Sequence, residues 1–300
     1  MQQPSSDVQV REKPLWRRIF EFPLVALLIA IIVFVAASAL GIAIGKAFGS
    51  MGQPERTIVR AIISIALVLA AYKFILVKLG ERPRDDLPGK DALKNLGLGL
   101  LTGFGLMAAA VGVAAIAGVY TIVGKGDASR LVLELVTVAI LPGFMEEMAF
   151  RGILFRWLEE FGGTWAALAI TSALFGIAHI FNPNATWFSS FAIAVEAGVL
   201  LGGAYMLTRS LWLPMGLHAA WNFTQGEIFD VPVSGIDEHG LVQAKLSGPA
   251  LLSGGTFGLE ASIIALVIAT TAGVWLVYLT VRKGWVVSPW WVRRRALPTN

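Results

Sequence analysis

The sequence predicts an all-α, polytopic transmembrane bundle of about eight spans. Three observations carry that reading. Hydrophobic residues make up 56% of the 300 positions and charged residues only 15%, where a soluble domain carries about 25% charged. Mean hydropathy is +0.71. Apolar runs close to the ~20 residues needed to cross hydrocarbon recur along the whole chain, separated by short segments that hold most of the charge.

Residues 1–22 form a polar, basic N-terminal tail with Arg11, Lys13, Arg17 and Arg18. The run that follows is long and lacks a cleavage signal, so it reads as a retained span. Spans are expected at 23–46, 57–79, 95–123, 129–156, 164–181, 187–208, 211–228 and 258–281. They divide into N-terminal helices (23–127), a central core (128–226), an outer loop (227–257), and a last helix with a basic tail (258–300). The outer loop is Gly-rich and holds Asp237, Glu238 and His239; it reads as a cap or a re-entrant lid, and its sequence does not choose.

Lys and Arg placement sets orientation. The N-terminal tail, the connection holding Lys78, Arg82, Arg84, Lys90 and Lys94, and the tail with Arg282, Lys283, Arg293, Arg294 and Arg295 are basic. An even number of spans puts all three on one side, expected to be cytoplasmic. Trp16, Trp157, Trp165, Trp187, Trp212 and Trp285 fall near span ends, as interfacial anchors do. Gly99/Gly103 and Gly198/Gly202 have the spacing that lets helices approach closely. The lipid bilayer is thus the first expected partner, and a net charge of +4 spread beside apolar runs is no nucleic-acid footprint. The chain has no cysteine, which excludes disulfides and thiolate chemistry.

Against this background the intramembrane polar residues stand out, because each ionisable group in hydrocarbon costs roughly 2.5–3.5 kcal/mol even on lenient scales. Glu146, Glu147 and Arg151 lie in the fourth apolar run, Phe175 and His179 in the fifth, His218 and Asn222 in the seventh. Residues four apart share a helical face, so Glu147 pairs with Arg151 and Glu146 points elsewhere without that cation. Glu147 is then a structural ion, and Glu146 is left to act on a water. Pro142 and Gly143 loosen the helix where water must enter. Phe175 limits water around His179, and Asn222 offers an amide donor and a carbonyl beside His218. Glu134 and Glu196 are expected as packing partners, and Lys73 to snorkel. Depths counted from the cytoplasmic span ends at ~1.5 Å per residue are unequal: about 15 Å for Glu146, 11 Å for His218 and 24 Å for His179.

The ordered set Glu146-Glu147-Met-Ala-Phe-Arg151, Phe175-Gly-Ile-Ala-His179 and His218-Ala-Ala-Trp-Asn222 resembles the EExxxR, FxxxH and HxxxN signatures of the CPBP family, the CAAX-protease and bacteriocin-processing intramembrane proteases. The resemblance covers residues 128–226 and implies an eight-helix membrane core. It implies that Glu146 activates the attacking water, that His179, His218 and Asn222 complete the site, and that Glu147 and Arg151 support it. The substrate is then a membrane-associated peptide or protein. In a second version Glu146, His179 and His218 bind Zn²⁺; no H-E-x-x-H occurs, and the metal-free version is preferred. A Gly124-Lys125-Gly126-Asp127 run looks like an aspartyl-protease element but reads as a turn. A catalytically idle scaffold or immunity-type binder, and a proton-coupled transporter, are the competing classes; no duplicated half supports the latter. The plan suggests a bacterial plasma-membrane protein with both termini cytoplasmic.

Overall fold

The computed structural model describes residues 13–295; Arg11 and the first part of the basic tail lie outside them. The fold is largely helical. After a short amphipathic helix α1 (Leu15–Glu21) come α2 (Pro23–Lys46), α3 (Gln53–Phe74) and α4 (Ala92–Ile116). A long interrupted helix, α5, spans 131–162. Next are α6 (Thr164–His179), α7 (Trp187–Thr208) and α8 (Trp212–Phe223), the last running on into a π-helical turn at Thr224–Ile228. The chain ends with α9 (Ile263–Arg282) and a terminal turn, α10 (Trp290–Arg295).

Among the described residues, five helices are long and apolar enough to cross a bilayer: Pro23–Lys46, Gln53–Lys78, Ala92–Ile116, Trp187–Thr208 and Ile263–Arg282. The other three expected spans fall short for separate reasons. The α6 helix has 16 residues, α8 has 12 before its π turn, and α5 carries the buried charges and two breaks.

Lipid-facing and central helices differ as burial requires. Only Pro23, Ala26, Ala30, Gly41 and Gly45 of α2 are buried, so its bulky residues face outward. Most of α7 is enclosed, and α6, α9 and α8 pack around it. It starts on a capping box in which Thr186 and Ser189 exchange side chain-to-backbone hydrogen bonds of 2.8 and 3.0 Å. The small-residue pairs act as expected. Gly99 and Gly103 of α4 meet the backbone of α8 at Leu213 and Leu217, and Gly198 and Gly202 of α7 meet Ser172 and Leu168 of α6. A side chain at any of the four would have to displace its neighbour.

Two faces of the bundle are distinct. On one, Phe22 packs edge-on against Trp290 at 5.7 Å and Phe161 at 5.8 Å, and Arg294 pairs with Glu81 at 3.1 Å. Thr164 and Arg209 bond the C-terminal segment at Val287 and Trp285. Both ends of the described chain and the 79–91 connection therefore share this terminal face. Asp86 sits buried within it, held by Arg84 at 2.6 Å. Lys73 does not snorkel: it reaches Asp85 at 2.7 Å and the Leu87 carbonyl at 2.6 Å, a better-satisfied ammonium than one in headgroups. Trp157 is no interfacial anchor either; it is fully buried, with the Arg156 guanidinium 4.7 Å above its ring.

The opposite face holds an element that helical periodicity does not announce. The third predicted span stops at Ile116, because Gly118 turns the chain at φ +73° and Tyr120-Thr-Ile-Val favours extended backbone. Strand β1 (Tyr120–Lys125) pairs antiparallel with β2 (Val242–Leu246), Tyr120 opposite Leu246 and Lys125 opposite Val242, with an irregularity between Ile122 and Gly124. The 227–257 loop is thus a folded cap on this strand face, closed by a helical turn at Ala250–Ser253. Asp127 forms a turn, accepting the Ser129 N–H at 2.9 Å.

Candidate functional site

The α5 helix is built to break. Leu135–Ile140 and Met148–Phe155 are π-helical, and a normal α segment, Leu141–Glu147, lies between them. Wide turns of this kind appear where a helix must reposition side chains. Pro142 explains the first break. It has no N–H, so the Val138 carbonyl, four residues earlier, loses its helical donor. Asn222 of α8 supplies one: its Nδ2 donates to Val138 O at 3.0 Å. That bond fixes the amide's orientation and pins α8 to the break. One Nδ2 hydrogen and the Oδ1 of Asn222 remain for other partners. An expected outcome follows. Asn222→Leu strands a buried carbonyl and lowers stability by about 1–3 kcal/mol. Adding Pro142→Ala restores the local donor and recovers most of the loss in detergent thermal unfolding. A double variant no better than Asn222→Leu alone refutes this assignment.

Gly143 lets α5 and α8 come close; a Cβ there would meet Ala219 Cβ at 3.1 Å and Met215 O at 3.2 Å. Four residues on, Glu147 is wholly buried. Its Oε1 accepts from Arg151 Nη1 at 2.9 Å and from His218 Nδ1 at 3.0 Å. Arg151, also wholly buried, donates to the Ala197 carbonyl at 3.2 Å and the Gly198 carbonyl at 3.4 Å. Its guanidinium lies 4.7 Å from the centre of the Phe175 ring. The Glu147–Arg151 pair expected from spacing is present, and it ties α5 to α6, α7 and α8 at once.

Glu146 is in a different situation. It has no arginine or lysine partner among the described residues, and 34% of its side chain is exposed. The nearest cationic candidate is His218 Nε2, 4.0 Å from Oε2. That is too long for a direct hydrogen bond, and Oε2 itself is buried with no hydrogen-bond partner. Since Glu147 accepts the Nδ1 proton of His218, the neutral ring presents Nε2 as an acceptor toward Glu146. His179 is set in the same way, its Nδ1 2.7 Å from the Phe175 carbonyl, leaving Nε2 forward.

The His179 ring folds back on Phe175, one turn earlier, with ring centres 4.7 Å apart. Phe175 in turn lies 6.1 Å from the His218 ring. A cavity of about 580 Å³ runs past Glu146, His179 and Asn222, walled by Ser38 and Ile42 of α2 and Arg60 and Ser64 of α3. The cap residues Ser234, Ile236 and Glu238 also line it. A second space of about 30 Å³ is lined by His179, His218 and Asn222 and by the buried Glu196 and Glu260, room for about two waters. His179 and Asn222 border both spaces, Glu146 the larger and His218 the smaller.

Among the described residues, the acidic or histidine donors that converge within 4.8 Å are Glu134, Glu227 and Glu238; Glu146, His179 and His218 are not such a group, although His218 Nε2 lies 4.0 Å from Glu146 Oε2. Sequence reasoning also missed the Glu147–His218 bond, which joins positions 71 apart and leaves no mark in local spacing. The Asn222–Val138 bond was readable in principle, since Pro142 orphans one known carbonyl.

Residues 128–224 match the family model described as Type II CAAX prenyl endopeptidase Rce1-like. The matched third of the chain contains all seven motif residues. No curated protein and no solved structure matches the chain.

Proposed function

We propose, on the premise that residues 128–224 belong to the CAAX-protease family, that this protein is an intramembrane endopeptidase using Glu146 as its base. One observation carries the reading: two adjacent carboxylates are given different surroundings. Glu147 Oε1 accepts from both Arg151 and His218, while Glu146 borders a cavity and makes no ion pair with an arginine or lysine among the described residues. Such a division separates a structural ion from a proton acceptor.

In the proposed cycle a water sits between Glu146 and His218 Nε2, donating one hydrogen to each. Its lone pair attacks the scissile carbonyl as Glu146 removes its proton. The remaining Asn222 amide hydrogen meets the developing oxyanion. Collapse of the tetrahedral intermediate breaks the C–N bond, and Glu146 returns the proton to the leaving amine. His179 Nε2, also an acceptor, lines the same cavity on the substrate side. Phe175 keeps bulk solvent off both rings. No step uses a metal.

The substrate is a membrane-associated peptide or protein entering the cavity between α2, α3 and α5; whether it carries a lipid is a further question for the same assay. We also read 131–162, α6 and α8 as crossings, which gives eight and places both termini on one side, proposed as cytoplasmic in a bacterial plasma membrane. The contacts joining Phe22, Trp290 and Arg294 on the terminal face support that count. The test is cleavage of a panel of membrane-tethered peptides, prenylated and not, read by mass spectrometry. Wild type is expected to cut with and without chelator. Chelator-sensitive cleavage restored by Zn²⁺ refutes the metal-free mechanism. No cleavage of any tethered peptide by folded protein counts against the peptidase reading.

A further inference from the structure

Away from the motif residues, three carboxylates meet where the cap joins the bundle. Glu134 opens α5, Glu227 closes the π turn after α8, and Glu238 descends from the cap loop. One oxygen of each lies within 4.8 Å of the other two. Glu134 and Glu227 are only 2% and 1% exposed. Arg130 reaches Glu134 at 3.1 Å from a half-exposed position. Glu227 Oε1 is sealed from solvent and has no hydrogen-bond partner among the described residues. This is a separate observation from the clustering: a buried oxygen of a carboxylate that faces two others is left without a donor or a cation, which buried carboxylates require.

The ligand chemistry is specific. Three carboxylates with no imidazole or thiolate select a hard cation, and a set of flexible oxygen donors suits Ca²⁺ better than the strict octahedron of Mg²⁺. The frame is held in advance. Asp230 accepts the N–H groups of Gly240 at 2.9 Å and Ala244 at 2.8 Å, and the Glu227 carbonyl accepts from Leu241 at 2.6 Å. An approach route exists too, because Glu238 is half-buried and lines the 580 Å³ cavity.

We propose that Glu134, Glu227 and Glu238 form a Ca²⁺ site that fastens the cap to α5 and α8. Bound there, the ion neutralises the cluster and sets the position of the cap residues that wall the cavity beside Glu146. The proposal rests on the cluster and on the unpartnered Glu227 oxygen, and is independent of the peptidase reading.

The experiment is Ca²⁺ titration of the purified full chain in detergent, read by calorimetry and by the thermal unfolding midpoint. Wild type is expected to bind and to be stabilised, with a chelator reversing the effect. Glu227→Gln and Glu238→Gln are each expected to weaken binding at least about tenfold. Both are expected to unfold at a higher midpoint than wild type in chelator, since each removes one repelling charge. The Glu238 change sits on the half-buried loop, so loss of folding does not obscure the result. No heat and no midpoint shift in wild type up to about 5 mM Ca²⁺, a weak extracellular-type affinity, overturns the site. So does binding retained in both variants, or Mg²⁺ binding tighter than Ca²⁺.

Discussion

Glu146→Gln is expected to lower peptide cleavage by about two to four orders of magnitude, the contribution of a positioned general base, while the protein folds and unfolds as wild type does. The expectation rests on the site's asymmetry. Glu146 makes no hydrogen bond that Gln must replace, it is one-third exposed to a cavity, and His218 Nε2 is 4.0 Å away. Gln keeps the shape and still bonds a water, but cannot take its proton. Kinetics on one cleaved peptide, with unfolding midpoints run in parallel, checks both halves. Cleavage within a few-fold of wild type removes Glu146 as the base.

The second large effect is on stability. Arg151→Ala is expected to destabilise by about 3–5 kcal/mol, the usual result of removing one member of a buried ion pair. The loss is large because Arg151 serves several elements at once. Without it Glu147 is left charged and wholly buried, two α7 carbonyls lose a donor, and Phe175 loses a cation over its ring. Glu147→Gln with Arg151→Met in one chain is expected to recover part of the stability, since it removes the stranded charge. That double variant still loses activity, because the Glu147 carboxylate no longer fixes the His218 tautomer. Equilibrium unfolding in mixed micelles measures the first effect and peptide cleavage the second. An Arg151→Ala protein as stable as wild type contradicts the hub described for this residue.

Much of this was legible before any coordinates. Helical spacing alone separated Glu147 from Glu146, and the glycine pairs of α4 and α7 marked the close contacts that exist. What the sequence hid is what depends on distance across the fold. His218 reaches Glu147 through the approach of α8 to α5, which no local pattern encodes. The β1–β2 ladder joins segments more than a hundred residues apart, and the Thr-Ile-Val of β1 reads equally well as the end of an apolar helix. Pro142 and Gly143 marked α5 as a loosened helix, while the two π segments that flank Leu141–Glu147 left no signal in the sequence. Depth counting separated His179 from Glu146 and Asn222, with which it lines one cavity.

The central claim is that Glu146 and His179 meet in water-filled space inside the membrane region. The absence of cysteine from the chain makes this directly measurable. Single Glu146→Cys and His179→Cys variants are treated, in intact vesicles and in detergent, with a small charged thiol reagent. Ser129→Cys in the exposed turn serves as a water-facing control, and Leu101→Cys, 71% exposed on α4, as a lipid-facing one. The expected result is that the thiols at 146 and 179 react alongside the one at 129, while the one at 101 stays unmodified. Reaction at 129 alone, with 146 and 179 as silent as 101, contradicts a hydrolytic site.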